Sequence, residues 1–219
     1  MSKAEMLFSQ QDKDRLAAAV NAAEQRTSGE IVPFVAGRSD SYPEAALRAG
    51  SLFAFVSLFA FSILSIGTSY WLPLGIAEIS MITIGCFVLG VVLAVYVPSF
   101  KRLFIPNAAL QQRVDEHAAM AFLDEEVFTT RERTGILLFI SLFERRVRVL
   151  GDSGINKQVR QEEWDEVVRM IIDAMKAGKP ADGLVQAIER CGELLERHGV
   201  EIRTDDTNEL DNTVRFADR

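Results

Sequence analysis

Cysteine and histidine are scarce: the 219-residue chain holds two of each. Cys86 lies in a long apolar run and Cys191 in a late stretch of helical period. Neither a disulfide framework nor a thiolate metal site is therefore expected. His117 and His198 also fall in segments that read as helices, so a nucleophile–base pair and a histidine-rich metal set are poorly supplied. The opening "MSKAEMLFSQQDKDRLAAAV" lacks an apolar h-region and reads as a soluble helix, so no cleavable signal peptide is expected. Basic charge is short too. The formal net charge is −7, and no basic stripe is long enough to follow a phosphate backbone, which argues against nucleic acid as a partner.

Uninterrupted apolar sequence, by contrast, is abundant. No charged residue occurs from Ala49 to Ala77, and after Glu78 a second uncharged run extends from Ile79 to Phe100. A bilayer core needs about 20 apolar residues per helix, and both runs reach that length. "SLFAFVSLFAFSILSI" and "ISMITIGCFVLGVVLAVYV" are apolar all round, whereas a buried helix of a soluble core is usually shorter and keeps one polar face. The reading is a transmembrane hairpin within residues 45–100, with spans at about 50–72 and 79–97. Arg38, Arg48, Lys101, Arg102 and Arg113 flank it, while the connection from Gly67 to Ala77 contains no Lys or Arg. By the positive-inside rule both termini are then cytoplasmic, in a two-pass inner (cytoplasmic) membrane protein. Tyr70, Trp71 and Tyr96 fall where interfacial aromatics are expected, and Glu78 reads as a solvated turn residue. Within the spans the small residues Ser, Thr and Gly stand in place of the strongly polar or charged ones a transport path would need, which suits an anchor packed through small residues better.

Around the hairpin the pattern is that of an α/β protein. Ser9 is placed as an N-cap with Asp12 in the first turn, and Leu16, Val20 and Ala23 follow at helical spacing. "EIVPFVAG" reads as a strand, its Pro33 suggesting an edge position or a bulge. Residues 1–44 thus supply a first helix and strand. Residues 101–199 supply the rest of the domain. They begin with an amphipathic helix carrying Leu110, Val114, Ala118, Ala121 and Phe122 on one face. "TGILLFISLF" is apolar throughout, as in a strand covered on both faces. "ERRVRVL" reverses direction and alternates, with Val147 and Val149 on one side and Arg146 and Arg148 on the other, the arginines set to pair loosely with carboxylates of a covering helix. Two helices divided at Gly178-Lys179-Pro180 follow, and residues 200–219 read as an acidic tail ordered only in part. The first strand precedes the hairpin and its sheet partners follow it. An even number of spans is what keeps the two halves on one side.

Two motifs are decoys. "GDSG" around Ser153 matches the surroundings of a trypsin-like nucleophile, but no histidine base is in prospect and the glycines suit a tight strand-to-loop turn. "CGELLER" has the C-x5-R spacing of cysteine phosphatases, yet Leu184, Ile188, Cys191 and Leu195 share one helical face, so the cysteine reads as core. His117 reads as a rim histidine at the edge of an apolar stripe. Asp152 is the most suggestive acid. With Ser153 and nearby carbonyls it offers the hard oxygens that Ca²⁺ or Mg²⁺ prefers, and Asp40 in the loop after the first strand would join it if the two strands were neighbours. Turn capping explains both aspartates equally well.

"TTRERTGILLFISLFERRVRVLGDSGI", Thr129 to Ile155, resembles the strand–hairpin–loop signature of the TPM domain family, named for its thylakoid, photosystem II repair and acetylcholine-receptor-modulating members. "TSGEIVPFVAG" resembles that family's first strand, and "TNELDN", Thr207 to Asn212, a short acidic segment near the end of bacterial members. The resemblance implies a small mixed sheet sandwiched by helices, here interrupted after its first strand by the hairpin, as in a bacterial membrane-protein branch. It also implies Ca²⁺ binding as in some members, acid phosphatase activity as in plant members, and roles for Asp152 as the loop aspartate and Glu30 as the acid that opens the first strand. The expectations are a membrane-anchored, cytoplasm-facing accessory or binding module in membrane-protein assembly or quality control, with the lipid bilayer and membrane or cytoplasmic proteins as partners. The alternative is a Ca²⁺- or Mg²⁺-dependent acid phosphatase built on Asp152, Asp40 and Glu30.

Overall fold

The computed structural model describes residues 4–67, 75–200 and 208–218, and these form two compact units. One comprises residues 1–40 and 111–219, the other residues 41–110.

The first unit is built on a four-stranded sheet of order β3-β2-β1-β4. Strand β1 (Ile31–Ala36) pairs in parallel with β2 (Ile136–Ser141), and β2 pairs antiparallel with β3 (Arg146–Gly151) across the turn 142–145. Every residue of β1 and β2 is buried, the consequence of helices on both faces. Alternation decides which side chain serves which face. Ile31, Val35, Ile136, Leu138, Ile140 and Val147 pack with α1 (Gln10–Glu24), α7 (Gln161–Lys176) and α8 (Pro180–Arg197). Val32, Phe34, Ala36, Leu137 and Phe139 meet Val114, Ala118 and Ala121 of the helix Asn107–Asp124. Ser9 caps α1 through a capping box with Asp12, as the sequence predicts.

Two features differ from expectation. Pro33 lies in an inner strand, not at an edge. Along β1 the Glu30 carbonyl bonds toward β2 and the Gly37 N–H toward β4, so odd-numbered residues address β4. Strand β4 (Arg215–Ala217) pairs only with Phe34–Ala36, so the ladder on that side begins beyond Pro33 and its missing N–H costs no bond. The second difference is β4 itself. Three residues of the expected tail add a parallel strand to β1, a placement set by long-range register and not by any local pattern.

The second unit is a helical hairpin: α2 (Pro43–Gly67), α3 (Ile76–Tyr96) and a short α4 (Pro98–Arg102), followed by α5 (Asn107–Asp124), which belongs to the first unit from Gln111 on. Helix α2 starts at Pro43, ahead of the apolar run, because its first turns carry Glu44 and Arg48, which hydropathy does not count. The two long helices approach closely through small residues. A Cβ added at Gly90 would stand 2.8 Å from the Ala49 carbonyl oxygen, and one at Gly50 2.8 Å from Val91. Beyond α3 in the chain, the remaining short helix Ser153–Asn156 is α6, at the end of β3. Tyr96 is exposed at the end of α3, whereas Tyr70 and Trp71 lie outside the described residues.

Burial separates structural from superficial apolar side chains. Leu138→Ala should cost about 2–5 kcal/mol by leaving a cavity at a site with no exposure, whereas Leu123→Ala, 59% exposed, should stay within about 0.5 kcal/mol. Urea unfolding of the detergent-solubilised protein followed by Trp164 fluorescence measures both.

Candidate functional site

The sheet has two polar ends. At the carboxyl ends of the parallel strands β1 and β2, where open α/β sheets usually place their ligands, Glu144 is fully buried. It accepts the Ser39 N–H at 2.9 Å and the Ser141 hydroxyl, while the Ser39 hydroxyl donates to Ser141 Oγ at 3.0 Å. This network ties the loop after β1 to the β2–β3 turn. Beside it opens a cavity of about 390 Å³ lined by Ser39, Asp40, Arg113, Glu116, His117 and Asp124 among others. Arg113 bridges Asp40 at 3.0 Å and Glu116 at 3.1 Å. The Glu116 carboxyl is held below its ordinary range, first by the Gln112 amide and then by Arg113. His117 sits on this rim with its ring edge-on to Phe139 (5.1 Å) and Phe34 (6.1 Å), as the stripe predicted. On the same helix Arg148 meets Asp115, and Arg146 meets Gln111, so the β3 arginines do pair with the covering helix.

The opposite, amino end carries Asp152 and Glu30. Asp152 is buried and caps α6, accepting the Ser153 N–H at 2.5 Å. Its other oxygen stands 2.6 Å from Arg133 Nε, close enough for an ion pair but misaligned for a hydrogen bond. Gly154 is required here because a Cβ would fall 2.4 Å from the Glu132 carbonyl oxygen. "GDSG" is thus a strand-to-helix turn locked against the 132–135 segment. Glu30, also buried, accepts the Glu209 N–H at 3.0 Å.

The three candidate metal ligands are not brought together. β2 lies between β1 and β3 and runs antiparallel to β3, so the loop after β3 leaves at the amino end of β1. Gly151 is level with Ile136 and so with Ile31, while Asp40 follows Ala36 at the far end, a separation of roughly 17 Å at 3.3 Å per residue. Among the described residues no three His, Cys, Asp or Glu side chains converge as a metal-ligating group. Asp40 therefore stands apart from Asp152 and Glu30. Cys191 is fully buried in α8, and burial pushes its thiol up to about 12, which leaves it protonated and inert. His198 bonds Glu163 at 3.1 Å.

Sequence reasoning missed the Ser39–Ser141–Glu144 network. Its one local signal is an acid in the tight turn that follows a wholly apolar strand. Ser141 is three residues from that acid, but Ser39 lies more than a hundred residues from both.

The architecture defines a class: a mixed sheet sandwiched by helices, split in sequence by an apolar hairpin. Within that class, residues 92–194 of the chain match the family model described as TPM domain. The match begins inside α3 and leaves out β1, which the structure shows to be an inner strand of the same sheet. The NMR structure of the BA42 protein from the psychrophilic bacterium Bizionia argentinensis is similar in fold, with a TM-score of 0.59 over 99% of this chain and 100% of that one, at 20% identity. No curated protein matches the chain.

Asp152→Ala should cost about 1 kcal/mol through loss of the α6 cap, and the loss should be equal in chelator and in millimolar Ca²⁺. Thermal unfolding in the two buffers measures this. A cost that grows with Ca²⁺ would put a cation at Asp152 after all.

Proposed function

We propose that this protein is a membrane-anchored TPM module that exposes its α/β unit to the cytoplasm and works by binding other proteins, in the assembly or quality control of membrane proteins. The observation that carries the anchoring is the hairpin surface. Both α2 and α3 are long and apolar enough to cross a bilayer, yet only 11% of either apolar window is buried. Phe55, Ile76 and Met81 project outward at 68%, 86% and 73% exposure. Such a surface is unstable in water and suited to lipid. The helices interrupt a domain instead of preceding it, which a signal sequence would not do, and a core helix would be buried. Orientation is supported by Arg48, Lys101 and Arg102 at the open end of the hairpin, where Arg48 bonds the Phe104 carbonyl at 3.1 Å and Lys101 reaches that of Ser41. In a bacterial cell the membrane would be the inner one.

Binding is favoured over catalysis by the wide separation of Asp40 from Glu30 and Asp152. The recess at the carboxyl end, with Asp40, Glu116 and Asp124 outnumbering Arg113, suits a basic segment of a protein partner. The net acidic charge points away from nucleic acid.

Topology is the first test. In a Cys86→Ser, Cys191→Ser background, Asp14→Cys should react with an impermeant maleimide only in inverted inner-membrane vesicles, and Glu78→Cys only in right-side-out spheroplasts. Both sites labelling from the same side would overturn the two-span reading. For binding, a partner recovered reproducibly from solubilised membranes should be lost on Asp124→Arg. Recovery unchanged by that substitution would remove the recess from the proposal.

A further inference from the structure

The amino end of the sheet holds a buried pair of acids with no role in the binding reading. Glu24, in the last turn of α1, accepts the Ile31 N–H through Oε1 at 2.9 Å. Glu30, six residues on, accepts the Glu209 N–H through Oε1, and the Leu210 N–H also bonds its carboxyl. Asn212 reaches Glu24 with its side chain. The second oxygen of each acid is buried and meets no N–H or hydroxyl donor, and the two carboxyls face one another. Two carboxylates so placed would repel in a poorly solvated site, whereas one proton between them satisfies both orphaned oxygens.

We propose that Glu24 and Glu30 form a latch held by one shared proton, which closes the C-terminal segment Glu209–Asn212 over the amino end of the sheet and opens it when that proton is lost. The segment has other holds at this point: Leu210 packs against the cluster of Val32, Phe34, Leu137 and Phe139, and the Asp211 carbonyl accepts an Arg215 N–H at 2.6 Å. The Glu209 carboxylate accepts the Arg131 N–H at 3.0 Å, and Asp211 turns to the Thr213 hydroxyl. Further along, β4 has its own anchors, Arg215 on Glu125 at 2.9 Å and Phe216 against Phe8, and Arg215 also holds the Asp211 carbonyl, so release centres on Glu209 and Leu210. The neighbouring charges oppose ionisation. Glu209 presses on Glu30 from the C-terminal segment and Glu30 presses on Glu24, while Glu24, as the hydrogen-bond donor of the pair, draws Glu30 the other way. From the loop before β2, Glu132 accepts the Ser28 hydroxyl, and just past the end of α1 Arg26 is turned back to the Ala22 carbonyl.

Burial first, and then the facing Glu30, push Glu24 up to about 8, and burial likewise raises Glu30. The sign follows. Opening of the segment lets water reach the acids and lowers them toward the ordinary carboxyl value of 4.5. The closed form therefore binds the proton more tightly. Closure is fully supported below about pH 4.5 and is lost as pH rises toward 8. One proton linked in this way changes the closed-to-open ratio by up to about tenfold per pH unit inside that window.

The experiment is amide exchange of the full-length, detergent-solubilised protein from pH 6 to pH 8, with the chemical exchange rate divided out. Protection of the Glu209 and Leu210 amides should fall at least tenfold, while the Leu142 amide, bonded to the Ala36 carbonyl, should hold. Glu24→Gln supplies a permanent donor to Glu30 and should keep both amides protected and flat with pH. Glu30→Gln should be flat too, and decides the matter if the first variant does not fold. A flat wild-type profile, or a variant with the wild-type slope, overturns the latch.

Discussion

The parallel pairing of β1 with β2 is the constraint on which the rest of the molecule depends. Ile31 lies beside Ile136 and Ala36 beside Ser141, so two adjacent strands are separated by a hundred residues of chain. Parallel neighbours require a crossover that returns to the starting end, and here the crossover contains the apolar hairpin as well as α5. Closing a longer loop costs only about 0.6 kcal/mol per doubling, and the hairpin organises itself through Ala49, Gly50 and Gly90. The insertion therefore loads the sheet very little. A parallel pair also buries both faces, which is why helices must cover β1 and β2 on either side.

Much of this was legible locally. A wholly apolar run marked β2, alternation marked β3, and Ser9 with Asp12 marked the start of α1, because each signal lies within one element. The unread features depend on distance. β4 is three residues whose side chains are half buried, so no periodicity distinguishes Arg215–Ala217 from the polar chain around it. Pro33 argued for an edge only while the span of β4 was unknown. Asp40 stands apart from Asp152 for a single reason of order. Asp40 and Asp152 could meet only if β1 and β3 were parallel neighbours, and inserting β2 between them sends the two loops to opposite ends.

The two ends of the sheet show how donors decide what a buried acid does. Glu144 has no exposure, but its oxygens receive the Ser39 N–H and the Ser141 hydroxyl, so it can fasten two loops as an acceptor. Glu24 and Glu30 each receive backbone N–H groups on one oxygen and none on the other. Residue type is the same in both places, and the difference lies in the hydroxyls that β2 and its flanking loop supply at one end and withhold at the other. A serine placed beside Glu30 would supply the missing donor and leave nothing for a proton to do. At the amino end a proton is the one donor within reach of both orphaned oxygens, which is what makes that contact sensitive to pH in the proposed latch.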